Sequence, residues 1–144
     1  MKKKYYFVIL FLVLVIFLSG CSGVVTPATD EAKVKNTIQN YALALNDQDW
    51  NEARSYCVYG SDAYYNVSVK EDIINVLYMY CSVVTLTYYV DIINVDINGN
   101  YATAYVHTTF LITACGYAES DDTYQYVYLQ KIGNSWKIYD SSQV

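Results

Sequence analysis

The spacing of apolar positions changes in steps along this chain. Residues 5–18 form an unbroken apolar run behind Lys2, Lys3 and Lys4. From residue 30 the apolar positions return at helical spacing: Val34, Ile38, Tyr41, Ala42 and Leu45 make one stripe. This predicts a first helix capped by Thr29 or Asp30 and ending near Asn46, with Asp30 and Glu31 at its positive end. Asp47 or Asp49 then opens a second, shorter helix whose buried side carries Trp50, Ala53 and Cys57. Gly60, Ser61 and Asp62 supply loop chemistry for residues 59–66. Ser68-Val69-Lys70-Glu71 has the spacing of a capping box, so a third helix is expected from residue 68 to about residue 79, burying Ile73, Ile74, Leu77 and Tyr80.

Beyond this point strand formers dominate. Residues 83–97 and 101–114 are rich in β-branched and aromatic side chains, and Asn98-Gly99 between them is a type I′ hairpin signal. Counting outward from that turn sets Val95 against Ala102 and Ile93 against Ala104. The same parity puts Ala102, Ala104, Val106, Phe110 and Ile112 on a buried face, and Tyr101, Thr103, Tyr105, His107 and Thr109 on the other. Residues 116–123 read as an acidic loop containing Glu119, Asp121 and Asp122. Residues 124–132 and 135–140 pair around Gly133-Asn134, a type II′ candidate that sets Leu129 against Ile138 and Val127 against Asp140. Trp136, Ile138, Leu129 and Val127 then make the inner face. Helices followed by strands predict an α+β domain: three N-terminal helices packed on a strongly curved four-stranded antiparallel sheet.

The basic and apolar start ends on Leu18-Ser19-Gly20-Cys21, and this layout resembles the bacterial lipoprotein signal. The resemblance implies cleavage before Cys21 and a lipid of the palmitate type on Cys21. It divides the chain into a signal peptide (1–20), a lipidated tether (21–29) containing Pro27, and one domain (30–144). The apolar run is shorter than the roughly 18 to 20 residues that cross a bilayer. The expected location is therefore the cell membrane or envelope, on its non-cytoplasmic face, with the membrane as partner through the lipid on Cys21. Cleavage would remove three lysines and no acid, taking the net charge from −5 to −8. Such a surface repels nucleic acid and anionic headgroups, so no nucleic-acid partner is expected.

Cys57, Cys81 and Cys115 remain besides Cys21. In the hairpin register Cys115 faces Ser82, and one bulge would bring Cys81 and Cys115 into bridging range, leaving Cys57 reduced in the helical core. With no Cys-x-x-Cys and a single histidine, no metal site and no cofactor are expected. Asp96-Ile97-Asn98-Gly99-Asn100 resembles the start of a calcium loop, but the later glutamate is missing and a hairpin turn accounts for it.

Asn46-Asp47-Gln48-Asp49-Trp50-Asn51-Glu52-Ala53 between helices, and Gly133-Asn134-Ser135-Trp136-Lys137-Ile138 at the last hairpin, stand in an order that carries a second resemblance. Over about residues 30–141 the chain resembles the cone-shaped superfamily of nuclear transport factor 2, the SnoaL-like cyclases and the ketosteroid isomerases. That resemblance implies a cavity inside a curved sheet, hosting a small ligand or an active site. The isomerases place a carboxylate base there. Asp91 is the candidate, because the register sets it opposite Val106 on the inner face, where burial would raise its pKa. A bulge in so long a strand would turn it to solvent instead, and that is the reading we favour. His107 falls on the outer face with no expected role as a ligand. Tyr101, Tyr105, Tyr124, Tyr126, Tyr128 and Tyr139 gather on the same outer face, where amphipathic rings suit a homodimer or an envelope protein partner. The expected function is binding of a protein partner or a small apolar ligand without catalysis; the alternative is an isomerase-like enzyme using Asp91.

Overall fold

A computed structural model describes residues 28–144; the expected signal peptide, Cys21 and most of the expected tether lie outside the described residues. Helix α1 (Asp30–Asn46) starts where the sequence places it, with Thr29 Oγ1 accepting from the Ala32 amide at 3.2 Å. Helix α2 (Trp50–Ser55) is capped by Asp49, whose Oδ1 accepts from the Glu52 amide at 2.9 Å. Helix α3 (Asp62–Tyr80) corrects the sequence reading, because it begins before Ser68. Ser61 is the cap, its Oγ accepting from the Tyr64 amide at 3.3 Å. The Ser68 box is interior to the helix, and Glu71 turns instead to Arg54, 2.5 Å from its Nη1. Ala63, Val67 and Ile74 form the buried stripe of α3, whereas Ile73 and Tyr80, expected inside, are 52% and 80% exposed. Among the described residues no helix is long and apolar enough to cross a membrane.

The sheet runs β1 (Val84–Asn98), β2 (Tyr101–Ala114), β3 (Tyr117–Ile132), β4 (Ser135–Gln143), with every neighbour antiparallel and strands adjacent in chain order. The acidic stretch expected as a loop is instead the start of β3, where Glu119 pairs with Ile112 and Asp122 with Thr109. Cys115 and Gly116 both take positive φ, 52° and 83°, so two residues suffice for a type I′ turn. The segment reads as loop because this end of β3 is exposed on both faces, which removes the alternation that marks a half-buried strand.

The first hairpin also differs in detail. Asn98 pairs with Tyr101, so the turn residues are Gly99-Asn100, and positive φ at Gly99 alone (62°) is the type II′ pattern rather than I′. Near the turn Val95 faces Ala104 and Ile97 faces Ala102, which preserves the expected inner face. Ile93 then bulges out of register, and beyond it Ile92 pairs with Val106 and Asp91 with His107. A second bulge at Tyr139 sets Val127 against Ser141 rather than Asp140, while Leu129 faces Ile138.

Each sheet edge is covered at one point, which shortens the run of unpaired strand backbone. On the β1 edge the Asn46 amide binds Tyr88 twice: its Nδ2 donates to the Tyr88 carbonyl at 3.0 Å, and its Oδ1 accepts from the Tyr88 amide. On the β4 edge the Val58 amide donates to the Ile138 carbonyl at 2.8 Å, and the Ile138 amide to the Tyr56 carbonyl at 2.9 Å. Between helices and sheet lies a core that includes Val34, Leu45, Val67, Val106, Leu129 and Trp136, each at most 2% exposed. Asp30 binds both Lys131 Nζ (2.8 Å) and Trp136 Nε1 (3.3 Å), tying the start of α1 to the last hairpin. A smaller cluster of Ile74, Val84 and Leu86 packs beside Cys81 at the other end. There Cys81 is bonded to Cys115, with Cα atoms 4.9 Å apart, and Cys57 is free and buried.

Asn46→Ala should destabilise the domain by roughly 1 to 3 kcal/mol, because it leaves the donor and acceptor of one edge residue unpaired in a half-buried site. Urea unfolding of the two proteins measures this; an unchanged midpoint would mean that the β1 edge needs no such support.

Candidate functional site

The concave face of the sheet and the two longer helices enclose a cavity of about 90 Å³. Its apolar walls come from Ile38 and Ala42 of α1, Ala63 of α3, Val90 of β1, Val106 of β2, Val127 of β3 and Ile138 of β4. The exposed Asn66 and Ser141 mark its mouth. Tyr41, Lys70, Tyr88, Thr108 and Gln125 bring polar groups into this apolar setting. Each is placed by an element described above. Tyr41 follows Ile38 on the inward stripe of α1. Lys70 sits on the stripe of Ala63, Val67 and Ile74 in α3. The Ile93 bulge turns Tyr88 inward, and Asn46 holds its backbone.

The polar groups form a partial network. Gln125 Nε2 donates to the Tyr88 hydroxyl oxygen at 3.2 Å and to Thr108 Oγ1 at 3.4 Å, and Thr108 Oγ1 donates to the Thr123 carbonyl at 3.3 Å. Among the described residues no carboxylate lies within ion-pair distance of Lys70, and no buried side-chain nitrogen or oxygen is left without a partner. Tyr41 and Lys70 are each only half-buried as a whole, but the polar end lies deep enough to titrate abnormally. Burial pushes the Tyr41 hydroxyl well above the ordinary tyrosine range, helped by neighbouring Cys57 and Tyr88. Burial likewise raises Tyr88, opposed by its bonds to Gln125 and Thr108. Desolvation lowers Lys70, opposed by Cys57. The cavity thus offers hydroxyl and ammonium donors in a setting of low polarity.

Asp91 is not part of this site. Paired with His107, it stands exposed on the opposite face of the sheet, as the favoured reading of a bulged strand has it and not opposite Val106, with the bulge at Ile93. No described carboxylate lines the cavity. Among the described residues no group of His, Cys, Asp and Glu is placed to hold a metal ion. Lys70 escaped the sequence reading because it was absorbed into the supposed capping box. Once α3 is started at Asp62, its place on the buried stripe is the signal that would have found it.

No family model matches the chain, and no curated protein does. Solved structures do. Over 82% of this chain and 99% of the other, it superimposes with a TM-score of 0.62 at 13% identity on a protein of the nuclear transport factor 2-like family from Streptomyces avermitilis. The chain has the nuclear transport factor 2-like fold. A ketosteroid isomerase-like protein from Erwinia carotovora atroseptica gives a TM-score of 0.59 at 15% identity, covering 81% of this chain and 98% of that one. A Bdellovibrio bacteriovorus protein gives 0.61 at 10% identity, covering 81% of this chain but only 42% of that one, so there the fold is part of a longer chain. At these identities the likeness concerns the fold alone.

The convex side of this nuclear transport factor 2-like sheet carries the tyrosines. Tyr105 lies 5.2 Å from Tyr126 and 5.9 Å from Tyr124, ring centre to ring centre, and Tyr124 stacks on His107 at 4.6 Å. His107 Nε2 is 2.6 Å from Asp122 Oδ1, which also accepts from Thr109 Oγ1 at 2.9 Å. Tyr139 joins a second group, 6.1 Å from Tyr128 and 6.5 Å from Tyr101. A wide apolar groove of about 830 Å³ opens beside the disulfide, lined by Ile73, Leu77, Phe110, Ile112 and Tyr117.

Cys57 generates a pH prediction. Burial raises its thiol from 9.0 to about 12, opposed by Lys70 and Lys137, so the folded state holds the proton that the unfolded chain releases. The stabilisation is complete below pH 9 and is lost as pH rises from there toward 12. Lys70 acts with the opposite sign, since its lowered pKa means that rising pH relieves a penalty on the fold. Thermal unfolding of Cys57→Ala should therefore show a shallower loss of stability between about pH 8 and 11 than the parent chain. Parallel curves would contradict the buried-thiol assignment.

Proposed function

We propose that this chain is a lipid-anchored binding protein of the cell envelope, whose cone-shaped domain takes a small, partly apolar ligand without transforming it. The observation that carries the binding reading is the composition of the cavity. Apolar walls surround a few converging hydrogen-bond donors, the usual make-up of a ligand pocket. General-base chemistry of the isomerase kind needs a carboxylate or an equivalent base beside its donors. Asp91, the residue proposed for that role, stands on the far side of the sheet. Lipid on Cys21 would hold the domain on the non-cytoplasmic face. The convex tyrosines would then serve as contact surface for a second copy of the chain or an envelope protein, because rigid amphipathic rings gain contact area at little entropic cost.

Saturation-transfer NMR with a panel of small alcohols, amides and acids tests the binding reading. Several members should bind and be recovered unchanged, and Ala63→Leu, which puts bulk into the cavity wall, should abolish binding while the domain stays folded. Conversion of a bound compound, or binding indifferent to Ala63→Leu, would contradict it. In the same cells, Cys21→Ala should end incorporation of labelled palmitate; incorporation at the parent level would overturn the anchoring part.

A further inference from the structure

We propose that the cavity selects a carboxylate, the acid end of a small aliphatic or short-chain acid, and that Lys70 is its counter-ion. This rests on the reading of the cavity as a ligand site and names the class of ligand it takes. The argument starts from the charge. A desolvated ammonium without an opposite charge is costly, and buried charges are ordinarily paired or hydrogen-bonded. Lys70 faces the cavity with no described carboxylate in reach; neighbouring Glu71 is spent on Arg54. A bound anion would supply the missing partner.

A hydroxyl makes the site specific for more than charge. Tyr41 lines the cavity outside the Gln125 network, so its O–H can donate to a ligand. The Tyr88 hydroxyl is bonded to both Gln125 and Thr108, so it borders the site as part of that network. One ammonium and one hydroxyl, brought from α3 and α1, match one charge shared by two oxygens. A phosphate would bring a second negative charge with only Lys70 in the cavity lining to offset it. A ligand ammonium would meet Lys70 as a like charge.

Size and wall chemistry set the rest of the ligand. About 90 Å³ is smaller than the roughly 150 Å³ apolar cavity that accommodates benzene in another protein, so the enclosed part holds about four to six heavy atoms. Ile38, Val90, Val106, Val127 and Ile138 suit an aliphatic stem. A longer chain would leave through the mouth between Asn66 and Ser141.

The test uses the full chain in neutral detergent micelles, with sodium butyrate and the neutral isostere butyramide as probes, followed through the amide resonances of Val106, Thr108 and Val127. Butyrate should shift these resonances saturably and bind about tenfold or more tightly than butyramide. Lys70→Met should remove the preference, so that butyrate binds no more tightly than butyramide. Equal affinity of the two probes for the parent chain would overturn the carboxylate inference and leave the cavity as a ligand site. Failure of both probes to reach the cavity resonances would overturn the inference together with the ligand-site reading. Undiminished selectivity for butyrate in a folded Lys70→Met chain would overturn the role of Lys70. The comparison of probes on the parent chain stands even where the variant fails to fold.

Discussion

One extra residue in β1 decides which chemistry the inside of this domain can present. The side-chain period of a strand is two, so inserting Ile93 as a bulge exchanges the faces of everything on its N-terminal side. Tyr88, Val90 and Ile92 turn toward the helices, and Asp91 turns to solvent. Without the bulge a carboxylate would point into the cone and the Tyr88 hydroxyl would leave it. Bulges also bend strands and strengthen their twist, so this residue and its counterpart at Tyr139 help the sheet to curl around α1 and α3.

The cavity follows from that curl together with the long inward stripe of α3. Apolar side chains fill most of the concave space, and what remains is a small chamber lined by a few hydroxyl and amide groups and one ammonium. Proteins ordinarily keep an ammonium out of such a setting or pair it. Here the cost falls on Lys70, as its lowered pKa reflects, and the rest of the fold bears it through a well-packed core and two partly covered sheet edges. A ligand bringing the opposite charge would relieve that cost.

The helices and hairpins were legible wherever one local signal stood alone. The stripe Val34, Ile38, Ala42, Leu45 has no competing reading, and the glycine-first turn at Gly133 lies between runs of clear strand formers. Legibility failed where two local signals were equally good. Ser61 and Ser68 both make acceptable caps, and only the packing of Ala63 and Val67 against the sheet decides for the earlier one. The bulge was invisible in its position because Ile92 and Ile93 are alike: either can face inward, so the alternation on both sides fits with or without the extra residue. With the bulge placed at Ile93 and the helix started at Asp62, Tyr88 and Lys70 enter the site, and Asp91 keeps the solvent side that a bulge was expected to give it. The site was hidden by the position of the bulge and by the helix start rather than by unusual residues.

The register at that bulge is therefore the quantity to measure. Cross-strand nuclear Overhauser contacts on uniformly labelled protein report it directly. The backbone of Asp91 should show contacts to His107 and that of Asn94 to Tyr105, with Ile93 lacking a direct partner on β2. Contacts that pair Asp91 with Val106 and run without interruption through Ile93 would put the carboxylate inside the cone and contradict the account.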